Sequence, residues 1–351
     1  MSVSRLEKGK KLLDWYVENQ RDLPWRHTRD PYKIWISEIM LQQTRVDTVI
    51  EYYNRFTQRF PDIGTLAEAE EGEVLNYWKG LGYYTRARNL HKAAQQMVKE
   101  HGGVFPRDIE EVRKLPGVGA YTAGAILSIA FNEPYPAVDG NVLRVISRLE
   151  GLEEDIAKET TKKTVAGVVS QMIPEGEARD FNQALMELGA LICIPGIPKC
   201  GQCPVQSMCT AFLTGRQEEL PVRRKKENLL PEIPYWVALV EEGDRILLEY
   251  REKETLLGRL WGFPMVEKSR EEKPEMLFEE KYGLQLQLRE ELGTVQHVFS
   301  HRVWVMDTLR CTALSVPEEA SALRWVHREQ LKDFAIPTAF QRALKLVYKQ
   351  K

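Results

Sequence analysis

Several classes of protein are set aside by what this 351-residue sequence lacks. No apolar run approaches the about 18 residues that a membrane-spanning helix needs. The start, Met1-Ser2-Val3-Ser4-Arg5-Leu6-Glu7-Lys8, has no apolar core of a secretory leader. A chain in a reducing cytoplasm, without a membrane partner, is the expectation. Strong charge of one sign is missing too. A net charge of −2 gives no bulk attraction to nucleic acid, so any such contact must come from a local basic face. There is no long internal repeat and no low-complexity tract. With 43% apolar and 28% charged residues the chain can bury sizeable cores, and its length suits two or three domains. Nothing in it signals oligomerisation, so a monomer is expected.

Cysteine is scarce, and that makes its placement informative. Four of the five cysteines, Cys193, Cys200, Cys203 and Cys209, form a C-x6-C-x2-C-x5-C array. Two disulfides would suit a small secreted domain, whereas free thiols in a reducing compartment favour a four-thiolate metal site. Spacing alone leaves tetrahedral zinc and a [4Fe–4S] cluster open, although only one C-x2-C pair occurs where a zinc ribbon usually has two. Cys311 reads as an ordinary buried strand residue.

Residues 1–215 read as almost wholly helical. Apolar residues recur at helical spacing from Ile34 to Phe60, and further helices fit Glu73–Trp78, Thr85–His101, Asp108–Leu115, Tyr121–Phe131, Asn141–Leu149, Lys158–Met172 and Asp180–Cys193. Near residue 217 the character changes. Glu218-Glu219-Leu220-Pro221-Val222-Arg223-Arg224-Lys225-Lys226 reads as a solvated linker. Strands are expected beyond it at 235–240, 246–248, 285–289, 302–307 and 309–314, with helices near Phe278–Tyr282 and Ala339–Tyr348. An all-α region thus precedes an α+β domain.

Three places carry chemistry. In Leu115-Pro116-Gly117-Val118-Gly119-Ala120-Tyr121 two glycines permit a tight hairpin ahead of a helix N-terminus. Such a terminus suits an anion such as a DNA phosphate, though a plain helical corner has the same look. Asp139, in Val138-Asp139-Gly140-Asn141, precedes a helix. As an N-cap near a positive dipole end its pKa is expected to be lowered, with Asn141 in reach of its carboxylate. Glu38 stands alone in the apolar stretch Ile34-Trp35-Ile36-Ser37-Glu38-Ile39-Met40-Leu41. Pointing outward it would be an ordinary surface acid; buried, it would hold its proton near neutral pH. One raised and one lowered carboxyl would divide the labour that glycosidic cleavage needs, a proton for the leaving group and a charge facing the cation.

The hairpin, the Val-Asp-Gly and the cysteine array, in this order, resemble the endonuclease III superfamily of DNA glycosylases. Asp22-Leu23-Pro24-Trp25-Arg26, Trp35–Thr44, Gly80-Leu81-Gly82-Tyr83-Tyr84 and Phe181-Asn182-Gln183-Ala184-Leu185 resemble its MutY-like adenine glycosylase branch. The resemblance implies a multi-domain chain. A helix–hairpin–helix glycosylase region at 1–216 combines a six-helix barrel module at about 25–133 with an iron–sulfur module from 1–24 and 134–216. A linker at 217–233 and a Nudix-like domain at 234–351 follow. It further implies a [4Fe–4S] cluster on the four cysteines, and phosphate contacts at Gly117, Val118 and Gly119. Glu38 and Asp139 become the catalytic pair, supported by Tyr121 and Asn141. Trp25, Arg26, Leu41 and Gln183 line the base pocket, and Gln43 and Tyr83 wedge into the duplex. The substrate implied is double-stranded DNA carrying adenine opposite 8-oxoguanine or guanine, in a bacterial cytoplasm at the nucleoid.

The C-terminal domain adds Leu260-Trp261-Gly262-Phe263-Pro264 and His297-Val298-Phe299-Ser300-His301, which resemble the Nudix-like recognition domain of that branch. By this resemblance Phe299, Ser300 and His301 inspect 8-oxoguanine, and Ser300 has a hydroxyl that can donate or accept. Glu279-Glu280-Lys281-Tyr282-Gly283 shows no R-E-x-x-E-E box, so diphosphate hydrolysis is not expected. Bifunctional superfamily members carry a lysine nucleophile where this chain has Tyr121, so base removal without strand cleavage is expected. A glycosylase/lyase and a non-enzymatic iron–sulfur DNA-binding protein are the alternatives.

Overall fold

The computed structural model describes residues 4–224, 230–252, 255–269, 272–317 and 322–348. These form two compact units, Met1–Glu71 with Thr85–Lys226, and Gly72–Tyr84 with Glu227–Lys351. The helices before residue 215 are α1 (Arg5–Asn19), α2 (Pro31–Leu41), α3 (Val46–Arg59), α4 (Ile63–Glu68), α5 (Glu71–Trp78), α6 (Thr85–His101), α7 (Ile109–Lys114), α8 (Ala120–Phe131), α9 (Gly140–Glu150), α10 (Glu159–Met172), α11 (Ala178–Leu191) and α12 (Thr210–Leu213). Among the described residues no helix is long and apolar enough to cross a membrane.

Two of these helices are central. In α2 every residue from Ile34 to Met40 is buried, and in α8 every residue from Thr122 to Ala130. Neither helix has a solvent face, which is why both read as nearly continuous apolar runs and not as amphipathic stripes. Asp30 caps α2 by accepting from the Tyr32 N–H at 2.9 Å, and Pro31 supplies the φ of its first turn. The apolar run from Ile34 to Phe60 is two helices, not one. It breaks at Gln42–Arg45, where Gln43 adopts φ 58° and the chain turns into α3.

A second core joins α1, α9, α10 and α11 through Leu12, Tyr16, Val142, Ile146, Val165, Val169, Phe181, Leu185 and Leu188, and Cys193, Cys203 and Cys209 pack against it. The segment read as a solvated linker begins as packed chain. Leu220 is buried, its carbonyl accepts from Arg148 Nε at 2.8 Å, and the Val222 carbonyl accepts from the Ile156 N–H at 3.0 Å. Lys225, Lys226 and positions 227–229 of that stretch lie outside the described residues.

The second unit is built on a mixed sheet of β1 (Glu232–Glu242), β2 (Arg245–Tyr250), β3 (Trp261–Gly262), β4 (Met265–Glu267), β5 (Gln285–Val298), β6 (Val303–Ser315) and β7 (Leu323–His327). The order is β3-β2-β1-β6-β5, with β4 on β1 and β7 on β2. The β1–β6 pair is parallel and β5–β6 antiparallel. Helices α13 (Pro274–Tyr282) and α14 (Thr338–Tyr348) belong to this unit. The stretches expected as two strands at 302–307 and 309–314 are one continuous strand, β6. Strand β5 runs on to Val298, past the expected end at Arg289, because β-bulges near Glu290 and Gly293 absorb the breaks in its alternation. Cys311 is buried in β6, as expected.

Candidate active site

A cleft of about 1110 Å³ opens in the helical unit between α2, α8, α9 and α11, and Glu38 and Asp139 both line it. They come from different elements, Glu38 from within α2 and Asp139 from the start of α9. Glu38 is delivered by the buried stretch of α2 from Ile34 to Met40 and is only 5% exposed. Its Oε2 accepts from the Tyr121 hydroxyl at 2.6 Å, across from the first turn of α8. Desolvation raises the Glu38 pKa to about 7; the Tyr121 hydrogen bond opposes the rise, and the nearby Asp139 charge adds to it. The Tyr121 hydroxyl is itself held well above its ordinary value by burial and by the two carboxylates, so it remains a donor.

Asp139 is the N-cap of α9. Its Oδ1 accepts from the Val142 N–H at 2.7 Å and its Oδ2 from Asn141 Nδ2 at 2.9 Å. The approach of its segment depends on Gly124. A Cβ there would stand 2.3 Å from the Pro136 carbonyl oxygen, so only glycine lets α8 carry the chain that leads to Asp139. The expectation of a lowered pKa is corrected here. Burial outweighs the cap and raises the Asp139 pKa, while Val142, Asn141 and the Arg144 charge pull it back. Asp139 lines the cleft but is partly buried, and that burial is the source of its desolvation.

The other positions named from sequence fall into three groups. Trp25, Arg26, Leu41, Gln43, Tyr121, Asn141 and Gln183 line the same cleft. Trp25 is buried edge-on to Tyr53, with ring centroids 5.4 Å apart, and Gln43 is exposed. Arg26 is committed within the protein. Its Nη1 and Nη2 donate to the two oxygens of Glu187 at 3.0 and 2.7 Å, and its guanidinium lies over the Tyr16 ring. Gly117 (φ 78°), Val118 and Gly119 form the hairpin between α7 and α8; a Cβ on Gly117 would meet Asn89 Cβ at 2.9 Å. Tyr83, Phe299, Ser300 and His301 belong to the other unit. Ser300 and His301 are exposed beyond the end of β5. Phe299 is half-buried there, 4.8 Å from Trp304 and 4.6 Å from His297 between ring centroids.

The four cysteines are unpaired as disulfides and ring a cavity of about 30 Å³, with Arg148, Ile192, Pro198 and Phe212 in its wall. Among the described residues no three His, Cys, Asp or Glu side chains converge tightly enough to hold one metal ion. Four sulfurs around one cavity are a soft donor set of the kind that holds zinc or an iron–sulfur cluster. Arg148 is buried and donates to Cys193 Sγ at 3.5 Å and to the carbonyls of Ile194 and Gly196 at 2.8 and 3.1 Å.

Sequence reading gave no role to three residues that build this site. Glu187 is 1% exposed and takes Arg21 and Arg26 together, which lowers its pKa to about 2 against its own burial. Asn182 is fully buried. It accepts from the Ala137 N–H and donates to the Tyr135 carbonyl, both at 2.9 Å, so it holds the chain just ahead of Asp139. Arg144 links Asn141 Oδ1 to the carbonyls of Gly189 and Cys193. The one available signal was a charged or amide residue inside an apolar helical pattern, which applied to Asn182 and Glu187 as it did to Glu38.

Comparison with known proteins agrees with this architecture. The pattern of the HhH-GPD superfamily of base excision DNA repair proteins matches residues 36–171, and that of the NUDIX domain matches residues 235–346. The chain is 41% identical over 254 residues to the adenine DNA glycosylase of Buchnera aphidicola subsp. Baizongia pistaciae, covering 72% of each. It is 36% identical to the adenine DNA glycosylase of Mus musculus, over 95% of this chain and 76% of the relative. Among solved structures, a thermostable thymine-DNA glycosylase aligns with a TM-score of 0.55 at 32% identity, over 60% of this chain and 97% of its own.

Proposed function

The chain belongs to the adenine DNA glycosylases, within the HhH-GPD superfamily of base excision DNA repair proteins, and from that premise we propose that it hydrolyses the N-glycosidic bond of adenine opposite 8-oxoguanine or guanine in double-stranded DNA. The observation that carries the reading is the pairing, in one cleft, of a proton-holding Glu38 with a hydrogen-bonded Asp139.

The adenine leaves the stack to enter the cleft, with Gln43 and Tyr83 as wedges and Trp25, Leu41 and Gln183 lining its pocket. Tyr121 occupies one oxygen of Glu38, so the acidic proton resides on the other and passes to a ring nitrogen of the departing base. The bond between the sugar carbon and the base nitrogen breaks, and its electron pair leaves with the protonated base. Asp139 faces the resulting oxocarbenium ion, or bonds to it transiently. The Glu38 carboxylate then takes a proton from the water that attacks the sugar. Arg26 and Glu187 anchor the pocket wall. Cys193, Cys200, Cys203 and Cys209 would hold a [4Fe–4S] cluster, which would supply iron–thiolate cross-links for the loop and take no part in the hydrolysis. Phe299, Ser300 and His301 inspect the opposite base, and Gly117, Val118 and Gly119 grip phosphate.

Thymine removal is the second reading, because a thymine-DNA glycosylase is among the similar structures. That likeness spans 60% of the chain, whereas the mouse adenine enzyme aligns over 95%. Single-turnover release from A:8-oxoguanine, A:G and T:G duplexes decides between them. Adenine release supports the proposal, and release of thymine alone overturns it. Tyr121 provides no amine, so borohydride should trap no enzyme–DNA adduct; a trapped adduct would establish lyase chemistry.

A further inference from the structure

The turn that joins α2 to α3 contains a residue in a conformation that its surroundings must enforce. Gln43 has φ 58°, a region that non-glycine residues rarely occupy, and its side chain is exposed. The turn is spanned by one guanidinium. Arg86, in the first turn of α6, donates from Nη1 to the carbonyls of Ile39 at 3.0 Å, Met40 at 2.9 Å and Gln42, and from Nη2 to Thr44 Oγ1 at 3.2 Å. Ile39 and Met40 are among the last four residues of α2, whose carbonyls find no partner inside the helix. Gln42 and Thr44 flank Gln43 directly. A cation here also faces the negative end of the α2 dipole. The acceptors are spread over six residues of chain, Ile39 to Thr44, and match a planar fork of donors better than the single point charge of a lysine.

We infer that Arg86 is a positioning residue for base extrusion: it clamps the α2–α3 turn so that Gln43 is already set in the conformation with which it enters the duplex. The inference rests on the reading of Gln43 as a wedge. The clamp is assigned to extrusion, the step before the chemistry; the Glu38 carboxyl itself accepts from Tyr121. A wedge already ordered loses less conformational freedom when DNA binds, and so does more of the work of opening the base pair.

The test uses the full-length protein and a duplex with 2-aminopurine in the adenine position opposite 8-oxoguanine. A stopped-flow fluorescence rise reports unstacking. A second duplex, with an abasic-site analogue opposite 8-oxoguanine, reports binding that requires no extrusion. Arg86→Lys should slow the fluorescence rise by about tenfold or more, as expected for the loss of charge-assisted hydrogen bonds, and should bind the abasic duplex as tightly as the parent protein. An unchanged rise, or equal losses on both duplexes, would overturn the clamp. Thr44→Val removes a single acceptor and should slow the same phase by a smaller factor. If Arg86→Lys fails to fold and Thr44→Val extrudes at the parent rate, the inference also falls. Gln43→Ala separates the two layers. Parent-like extrusion in that variant refutes the wedge itself, while slowed extrusion in Gln43→Ala beside parent-rate extrusion in Arg86→Lys refutes the clamp alone.

Discussion

Replacing Glu38 by glutamine should change stability and catalysis with two different pH signatures. Glutamine keeps the size of the side chain and an acceptor for the Tyr121 hydroxyl, and it removes the titrating proton. Burial raises the Glu38 pKa from 4.5 to about 7. A buried acid with a raised pKa binds its proton more tightly in the folded than in the unfolded chain. Its favourable contribution is therefore complete below about pH 4.5 and lost as the pH climbs through about 7. A displacement of 7 − 4.5 = 2.5 units corresponds to about 3 kcal/mol. Between pH 4.5 and 8, the stability of Glu38→Gln relative to the parent should thus rise by that amount, read from urea unfolding of the helical signal at each pH. In single-turnover cleavage the parent rate should fall about tenfold per pH unit above neutrality, as the acid form is depleted. The variant should be slower by a factor on the order of a hundred or more, with no such limb. A stability difference independent of pH would show that Glu38 is not desolvated. A variant with the parent rate would remove it from the acid role. Asp139→Asn offers an internal control, because loss of the neighbouring charge should lower the Glu38 pKa, as read by carboxyl NMR.

Ser300→Ala should lessen the preference for A:8-oxoguanine over A:G by several-fold, as loss of one hydrogen bond implies, and leave the A:G rate nearly unchanged; competition between the two duplexes measures it. Glu187→Gln should destabilise the helical unit by about 3 kcal/mol at neutral pH, because it leaves Arg21 and Arg26 without their shared carboxylate. The Glu187 pKa is depressed to about 2, so its stabilisation is present above pH 4.5 and lost as the pH falls toward 2, and parent and variant should converge there in acid unfolding curves. Cys203→Ala should cost order in the loop and DNA affinity before it costs the single-turnover rate of bound complex. A cluster-free variant that binds the duplex normally would refute the supporting role given to the four thiols.

Helices such as α6, α10 and α14 were legible to within a residue or two because each has one apolar face and polar flanks, so periodicity marks its extent. The α2–α3 break was not. Its apolar spacing stays nearly in phase across Gln42–Arg45, and only the left-handed Gln43, with a guanidinium from 43 positions downstream, reveals a turn. The length of β5 was hidden for a similar reason, since bulges shift the alternation that defines a strand. At the site, Glu38, Asp139 and Tyr121 could be named from their motifs. That Glu38 and Asp139, 101 positions apart, share a cleft depends on the packing of the chain between them and on the bare backbone of Gly124.

The two carboxyls do not divide their labour in the way the N-cap argument suggests, with one pKa raised and the other lowered. Burial raises both. What differs is the company each keeps. Among the described residues Glu38 accepts one side-chain hydrogen bond, from a phenol that holds its own proton firmly, while burial and the Asp139 charge disfavour its ionised form. Asp139 receives a backbone N–H and an amide N–H, with the Arg144 guanidinium joined to that same amide. Each of these donors favours the ionised form. The asymmetry between the two carboxyls, proposed above as acid and ion stabiliser, therefore lies in hydrogen-bond donors counted against burial. A substitution that strips donors from Asp139, such as Asn141→Leu, should push its pKa further up and impair cation stabilisation while leaving the Glu38 limb of the pH profile in place.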